Sequence, residues 1–115
     1  MINKIHNFIF ILKTKTKDIL DDRKKVYSIL DTISSLLDSK IIRRTYKYYN
    51  HQGINICYFL STSHIIYSSY PEYNIVIIEA SICTKPHKLK ELIKYLKKNF
   101  DCKSLKIKKY SIRLK

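Results

Sequence analysis

The chain has 115 residues, 45% of them hydrophobic and 28% charged, which is enough for one modest core and reads as a single domain over residues 1–115. Its formal net charge is +14, and no apolar run approaches the ~20 residues of a membrane span. Its three cysteines, Cys57, Cys83 and Cys102, form no C-x-x-C pair and its four histidines are scattered, which argues against a disulfide framework or a metal site and fits a cytoplasmic protein.

Residues 5–12 are short, apolar and aromatic-rich, and predict a buried strand. No small-residue cleavage site follows, so the stretch is not expected to be a signal peptide. Residues 22–38 predict an amphipathic helix, with Val26, Ile29, Leu30, Ile33, Leu36 and Leu37 at helical spacing and Asp21 or Asp22 as its cap. Residues 41–49, β-branched and aromatic, predict a strand. The turn at 50–53 holds the only glycine, Gly53, which implies a positive φ or a close backbone approach there. Strands follow at 54–60, at 64–70 ending before Pro71, and at 74–83. Thr84 is the expected cap of a second helix, with Pro86 in its first turn and Leu89, Leu92, Ile93, Leu96 and Phe100 along one face. A last strand covers 104–112. The order β-α-β-β-β-β-α-β, with one apolar stripe per helix, predicts an α+β fold: a two-layer α/β sandwich, with a mainly antiparallel sheet and two helices on one face.

The chemistry-bearing groups cluster in "GINICYFLSTSHIIYSSYPEYNIVIIEASICTKP", Gly53 to Pro86. A Gly turn is followed by an apolar strand, then Ser63-His64, then Tyr70-Pro71-Glu72, then a strand carrying Glu79 and ending in Cys83. This layout, unbroken over 31 residues from Gly53 to Cys83, resembles the S-adenosylmethionine decarboxylase family in its short prokaryotic form. His6, the "LDD" at 20–22 and Lys85-Pro86 extend the resemblance over nearly the whole chain.

The resemblance implies a self-processing enzyme. Ser63 would attack the carbonyl of Thr62, the chain would part into 1–62 and 63–115, and Ser63 would become a pyruvoyl cofactor. The pyruvoyl carbonyl would form a Schiff base with the substrate amine and accept electrons as carbon dioxide leaves. Cys83 would return a proton to the carbanion carbon. Glu72 would accept hydrogen bonds from the ribose hydroxyls, and Tyr49 stands where an aromatic stacks on adenine. The implied substrate is S-adenosylmethionine or a related amino acid, the implied role is polyamine (spermidine) synthesis, and the implied assembly is a homodimer.

Three positions depart from the family pattern. Thr62 replaces the Glu before the cleaved Ser. Ser68 replaces the His that removes the α-proton, and a hydroxyl is no base near neutral pH. Asn55 replaces a Ser or Thr, although its amide can still donate to an oxyanion. His64 shares a strand face with Ser68, but about 13 Å away on an extended chain, too far to fill that place.

Each residue also has a plain reading. Ser63 would be a strand-end hydroxyl, Cys83 a small buried hydrophobe, Glu72 a solvated turn residue, His64 a packed or surface histidine, and Tyr49 a cross-strand packing group. Glu79 needs a partner if it is buried. Two rival functions follow. One is a non-processing relative of the same fold, a pseudoenzyme acting as a partner subunit or regulator. The other is a basic nucleic-acid-binding module, suggested by the charge and ten tyrosines. No recognition motif supports the latter, and the Ile-, Lys-, Asn- and Tyr-rich composition is that of a chain coded in AT-rich DNA.

Overall fold

Period-two alternation makes the sheet one-sided. The computed structural model describes residues 4–114. Its elements are β1 (Lys4–Thr14), α1 (Arg23–Leu36), β2 (Ile41–Tyr48), β3 (Ile54–Leu60), β4 (Ser63–Tyr70), β5 (Ile75–Ile82), α2 (Leu89–Asn99) and β6 (Cys102–Arg113), with a 3-10 turn at Pro71–Tyr73. Phe8, Phe10 and Leu12 of β1, Ile54, Ile56, Tyr58 and Leu60 of β3, Ile65 and Tyr67 of β4, and Val76, Ile78 and Ile82 of β5 are buried. They meet Val26, Leu30 and Ile33 of α1 and Leu92, Leu96 and Phe100 of the α2 segment in one apolar cluster. The alternate residues form the opposite, open face: Asn55, Cys57 and Phe59; His64, Ile66 and Ser68; Glu79 and Ser81; Asn7, Ile9 and Ile11.

The sheet order is β2-β3-β4-β5-β1-β6, with every neighbouring pair antiparallel. It follows that β1 runs parallel to β2, and β5 parallel to β6, each pair joined by a helix. The first crossover travels one way across the sheet. The second starts from a strand of opposite direction and travels the other way. Reversing both leaves a right-handed crossover on the same face, which is why one face carries both helices. The expected α+β sandwich is what forms.

Two starts resolve differently from expectation, or more sharply. Asp22 caps α1, accepting from the Lys25 N–H at 3.2 Å. At α2 the expected cap is wrong: the helix begins at Leu89 after Lys88, with no side-chain cap, so Thr84 and Pro86 lie in the connection before it. Proline disfavours helical geometry in the residue before it, and this segment must still cross over β1 before the helix can start.

Asp21, released from capping, ties three segments together. Its carboxylate accepts from the Gly53 N–H at 2.8 Å and from Ser69 Oγ at 2.6 Å, while Ser69 Oγ accepts from the Ile54 N–H at 2.8 Å. Beside it, Tyr67 donates to the Leu20 carbonyl at 2.7 Å, and burial and the Asp21 charge push that phenol well above its ordinary pKa. Gly53 has φ +102°, and a Cβ there would lie 2.8 Å from Tyr49 Cδ2 and 2.9 Å from the Ser69 carbonyl oxygen, so the glycine meets both demands read from the sequence. Asp21→Ala leaves the Gly53 amide and the Ser69 hydroxyl without their acceptor, and is expected to cost about 3 kcal/mol in urea unfolding. An unchanged midpoint would remove Asp21 from this role.

Candidate active site

The chemistry-bearing residues fall into two groups, at opposite ends of the strands. The first gathers around the hairpin between β3 and β4, whose connection is Ser61–Thr62. Ser63 opens β4 and pairs with Ile82 of β5, which pairs in turn with His6 of β1, and His6 pairs with Ser111 of β6. Cys83 follows Ile82 directly. Residues twenty positions apart in sequence thus share one end of two adjacent strands, both half-buried. The hydroxyl of Ser63 lies 3.2 Å from His64 Nδ1. His64 pairs with Ser81, and Ser81 with Asn7.

Beside this row, on the open face, is a cavity of about 190 Å³ lined by Asn7, His64, Glu79, Ser81 and Tyr110 among others. The Asn7 amide nitrogen is buried with no hydrogen-bond partner among the described residues. Glu79 is exposed, so no buried charge needs pairing there.

The second group holds Asn55, Ser68, Tyr49 and Glu72. Asn55 and Ser68 are cross-strand partners, and Asn55 Nδ2 donates to Ser68 Oγ at 2.9 Å and to the Tyr67 carbonyl at 3.2 Å. Tyr49 donates its N–H to the Gly53 carbonyl at 3.0 Å, and its ring lies against Gly53. Glu72 is exposed in the 3-10 turn and lines an open cleft with Lys15, Lys17, Asp18 and Asn74. Five residues of extended strand separate Ser63 from Ser68, about 16 Å. Within one chain, therefore, Ser63, His64 and Cys83 lie toward one end of β4 and β5, and Asn55, Ser68, Tyr49 and Glu72 lie toward the other. His64 does not stand at the place of the missing base; it stands against Ser63 instead.

Other polar groups serve the frame. Arg44 forms two 3.1 Å hydrogen bonds to Asp31, and Tyr58 donates to the same carboxylate at 2.6 Å. Burial, first, and that neighbouring charge hold the Tyr58 phenol protonated far above its ordinary range, so it remains a donor that locks β2 and β3 to α1. Burial likewise pushes up the thiols of Cys57 and Cys102. Among the described residues, no cluster of three or more His, Cys, Asp or Glu is placed to hold a metal, and no helix is long and apolar enough to cross a membrane.

Sequence reasoning missed Asn7, Ser81 and Tyr110 as cavity-lining groups, and Ser39, whose hydroxyl lies 2.6 Å from that of Thr62. Strand parity and pairing would have placed the first three; nothing in the local sequence marks Ser39.

The sequence and the fold are similar to those of known proteins. The sequence matches the profile of the family described as S-adenosylmethionine decarboxylase over residues 8–112. It is 28% identical over 91 residues to the S-adenosylmethionine decarboxylase proenzyme of Clostridium botulinum strain Langeland, an overlap of 79% of this chain and 78% of that protein. The proenzyme of C. botulinum strain Loch Maree gives the same identity, 28% over 91 residues, with the same shares of 79% and 78%. The crystal structure of the adenosylmethionine decarboxylase from Aquifex aeolicus superposes with a TM-score of 0.77 at 17% identity, over 94% of this chain and 88% of that one.

Proposed function

The chain belongs to the S-adenosylmethionine decarboxylase family, and from that premise we propose that it cleaves itself between Thr62 and Ser63 and then decarboxylates S-adenosylmethionine for polyamine synthesis. The observation that carries this reading is Ser63, with His64 Nδ1 3.2 Å from its hydroxyl, opening β4 opposite Ile82, the residue before Cys83.

Processing begins with Ser63 Oγ adding to the Thr62 carbonyl carbon. His64 Nδ1, 3.2 Å from that oxygen, accepts the hydroxyl proton. The C–N bond breaks, the nitrogen takes a proton, and an ester joins Thr62 to the Ser63 side chain. Water takes the Ser63 α-proton as the Cβ–Oγ bond breaks and Thr62 leaves as a carboxylate, and hydrolysis of the resulting enamine releases ammonia and leaves a pyruvoyl N-terminus. The residues present fit this group: the precursor is a half-buried serine at a strand start, with an imidazole beside its hydroxyl. When present, the group supplies an electron-accepting carbonyl for decarboxylation. Cys83 delivers a proton to the substrate α-carbon once carbon dioxide has left.

A second copy completes the site. One chain holds Asn55 and Ser68 about 16 Å along the sheet from Ser63, with Tyr49 and Glu72 farther still in the same direction. Two chains placed open face to open face, with strands antiparallel, bring the ribose- and adenine-binding set of one against the end of the other where β4 begins at Ser63 and β5 runs into Cys83. Phe59, 48% exposed on that face, gives such a dimer apolar contact. Chains carrying Ser63→Ala and Glu72→Gln, each impaired alone, are then expected to recover carbon dioxide release from S-adenosylmethionine when refolded together. No recovery would contradict the shared site.

A specific observation favours a second reading, a non-processing relative acting as a partner subunit or regulator. Asn55 and Ser68 satisfy each other at 2.9 Å, and neither can remove an α-proton. A purified wild-type chain that remains intact and releases no carbon dioxide would select it.

A further inference from the structure

The β2–β3 ladder does not stop where the strands do. Ile41 pairs with Leu60. One step further out, Lys40 and Ser61 pair: the Ser61 N–H donates to the Lys40 carbonyl at 2.8 Å, and the Lys40 N–H donates to Ser61 Oγ at 3.1 Å. The next step joins Ser39 to Thr62 through side chains alone, hydroxyl to hydroxyl at 2.6 Å. Ser39 is itself held. It is 8% exposed, its N–H donates to the Ser34 carbonyl at the end of α1 at 2.9 Å, and Asp38 before it turns the chain at φ 54°. A rigid helix end thus reaches the residue whose carbonyl Ser63 must attack.

We propose that Ser39 is a positioning residue for self-cleavage: its hydroxyl, bonded to Thr62, fixes the Thr62 carbonyl against Ser63 Oγ. The inference rests on the processing reading above. Ester formation needs the hydroxyl oxygen on line with the carbonyl carbon, and a small misplacement of either costs rate steeply. The hairpin connection has only two residues, and Thr62 borders the bond to be broken. Holding its side chain limits rotation of that peptide unit. Ser39 touches no reacting atom, so its effect falls on the rate of processing and not on the decarboxylation performed afterwards.

The test follows cleavage of freshly refolded full-length chains by intact mass, with and without hydroxylamine, which cuts at the ester and so reports its formation. Ser39→Ala is expected to slow cleavage about tenfold, the loss of one well-placed hydrogen bond. Hydroxylamine-dependent cutting should fall in the same proportion. Thr62→Val should match it, and the double variant should be no slower than either single one, because both remove the same bond. Ser39→Thr, which keeps the hydroxyl, should restore the rate. Once processed, Ser39→Ala protein should show wild-type kcat and KM. A merely structural role would lower thermal stability without these matched changes. Wild-type cleavage with Ser39→Ala cleaving equally fast overturns this inference alone. A wild-type chain that never cleaves overturns the processing reading, and the inference with it.

Discussion

Replacing Ser63 by alanine is expected to leave the polypeptide uncut and to abolish decarboxylation to the limit of detection. Without the hydroxyl no ester forms, and without the ester no pyruvoyl group arises. The folded frame should survive. Ser63 opens β4 at its end, its pairing with Ile82 is through backbone, and its side chain bonds only His64 among the described residues. Denaturing mass analysis paired with carbon dioxide release measures both effects. A Ser63→Ala chain that still parted at this bond, or still released carbon dioxide, would remove Ser63 from the chemistry.

Replacing Cys83 by alanine is expected to separate the two reactions. Processing should proceed, because the ester chemistry involves Ser63, Thr62 and His64. Decarboxylation should fall by about 10²–10⁴, the usual contribution of a positioned proton donor. The loss should appear in kcat with KM nearly unchanged, since the thiol acts after carbon dioxide has left and adds little to ground-state binding. Cys57 and Cys102 are internal controls: both thiols are pushed up by burial, and Cys102 donates to the Ser104 carbonyl at 2.9 Å. Alanine at either should leave kcat unchanged. Equal losses at all three positions would point to packing, and full activity in Cys83→Ala would overturn the assignment.

Much of the fold is legible in the residues because alternation and helical stripes are local. The strand expected at 54–60 forms over those residues, and Gly53 takes the positive φ its isolation implied. Three other turns use Asp38, Asn74 and Asp101 at φ 54°, 54° and 47°, the side chains best able to stand in for glycine. The start of α2 departs from expectation because Thr84 and Pro86 look like cap and first turn, while the crossover over β1 that delays the helix is a long-range demand. The insertion of β1 between β5 and β6 is equally invisible locally, since strands with one buried parity look alike.

The site divides in the same way. Ser63 and Cys83 stand out by their spacing, and pairing places them together. That Asn55, Ser68, Tyr49 and Glu72 lie at the other end follows from strand length, which only the register makes concrete. Ser39 carried no signal: a linker serine becomes meaningful once Ile41 pairs with Leu60 and the ladder runs outward to Thr62.

The most direct test of the central claim is the intact mass of the freshly purified protein under denaturing conditions. Processing predicts two chains, residues 1–62 and 63–115, the second beginning with a pyruvoyl group. A single uncut chain of 115 residues after prolonged incubation would contradict it, and would leave a family member that keeps the fold without the chemistry.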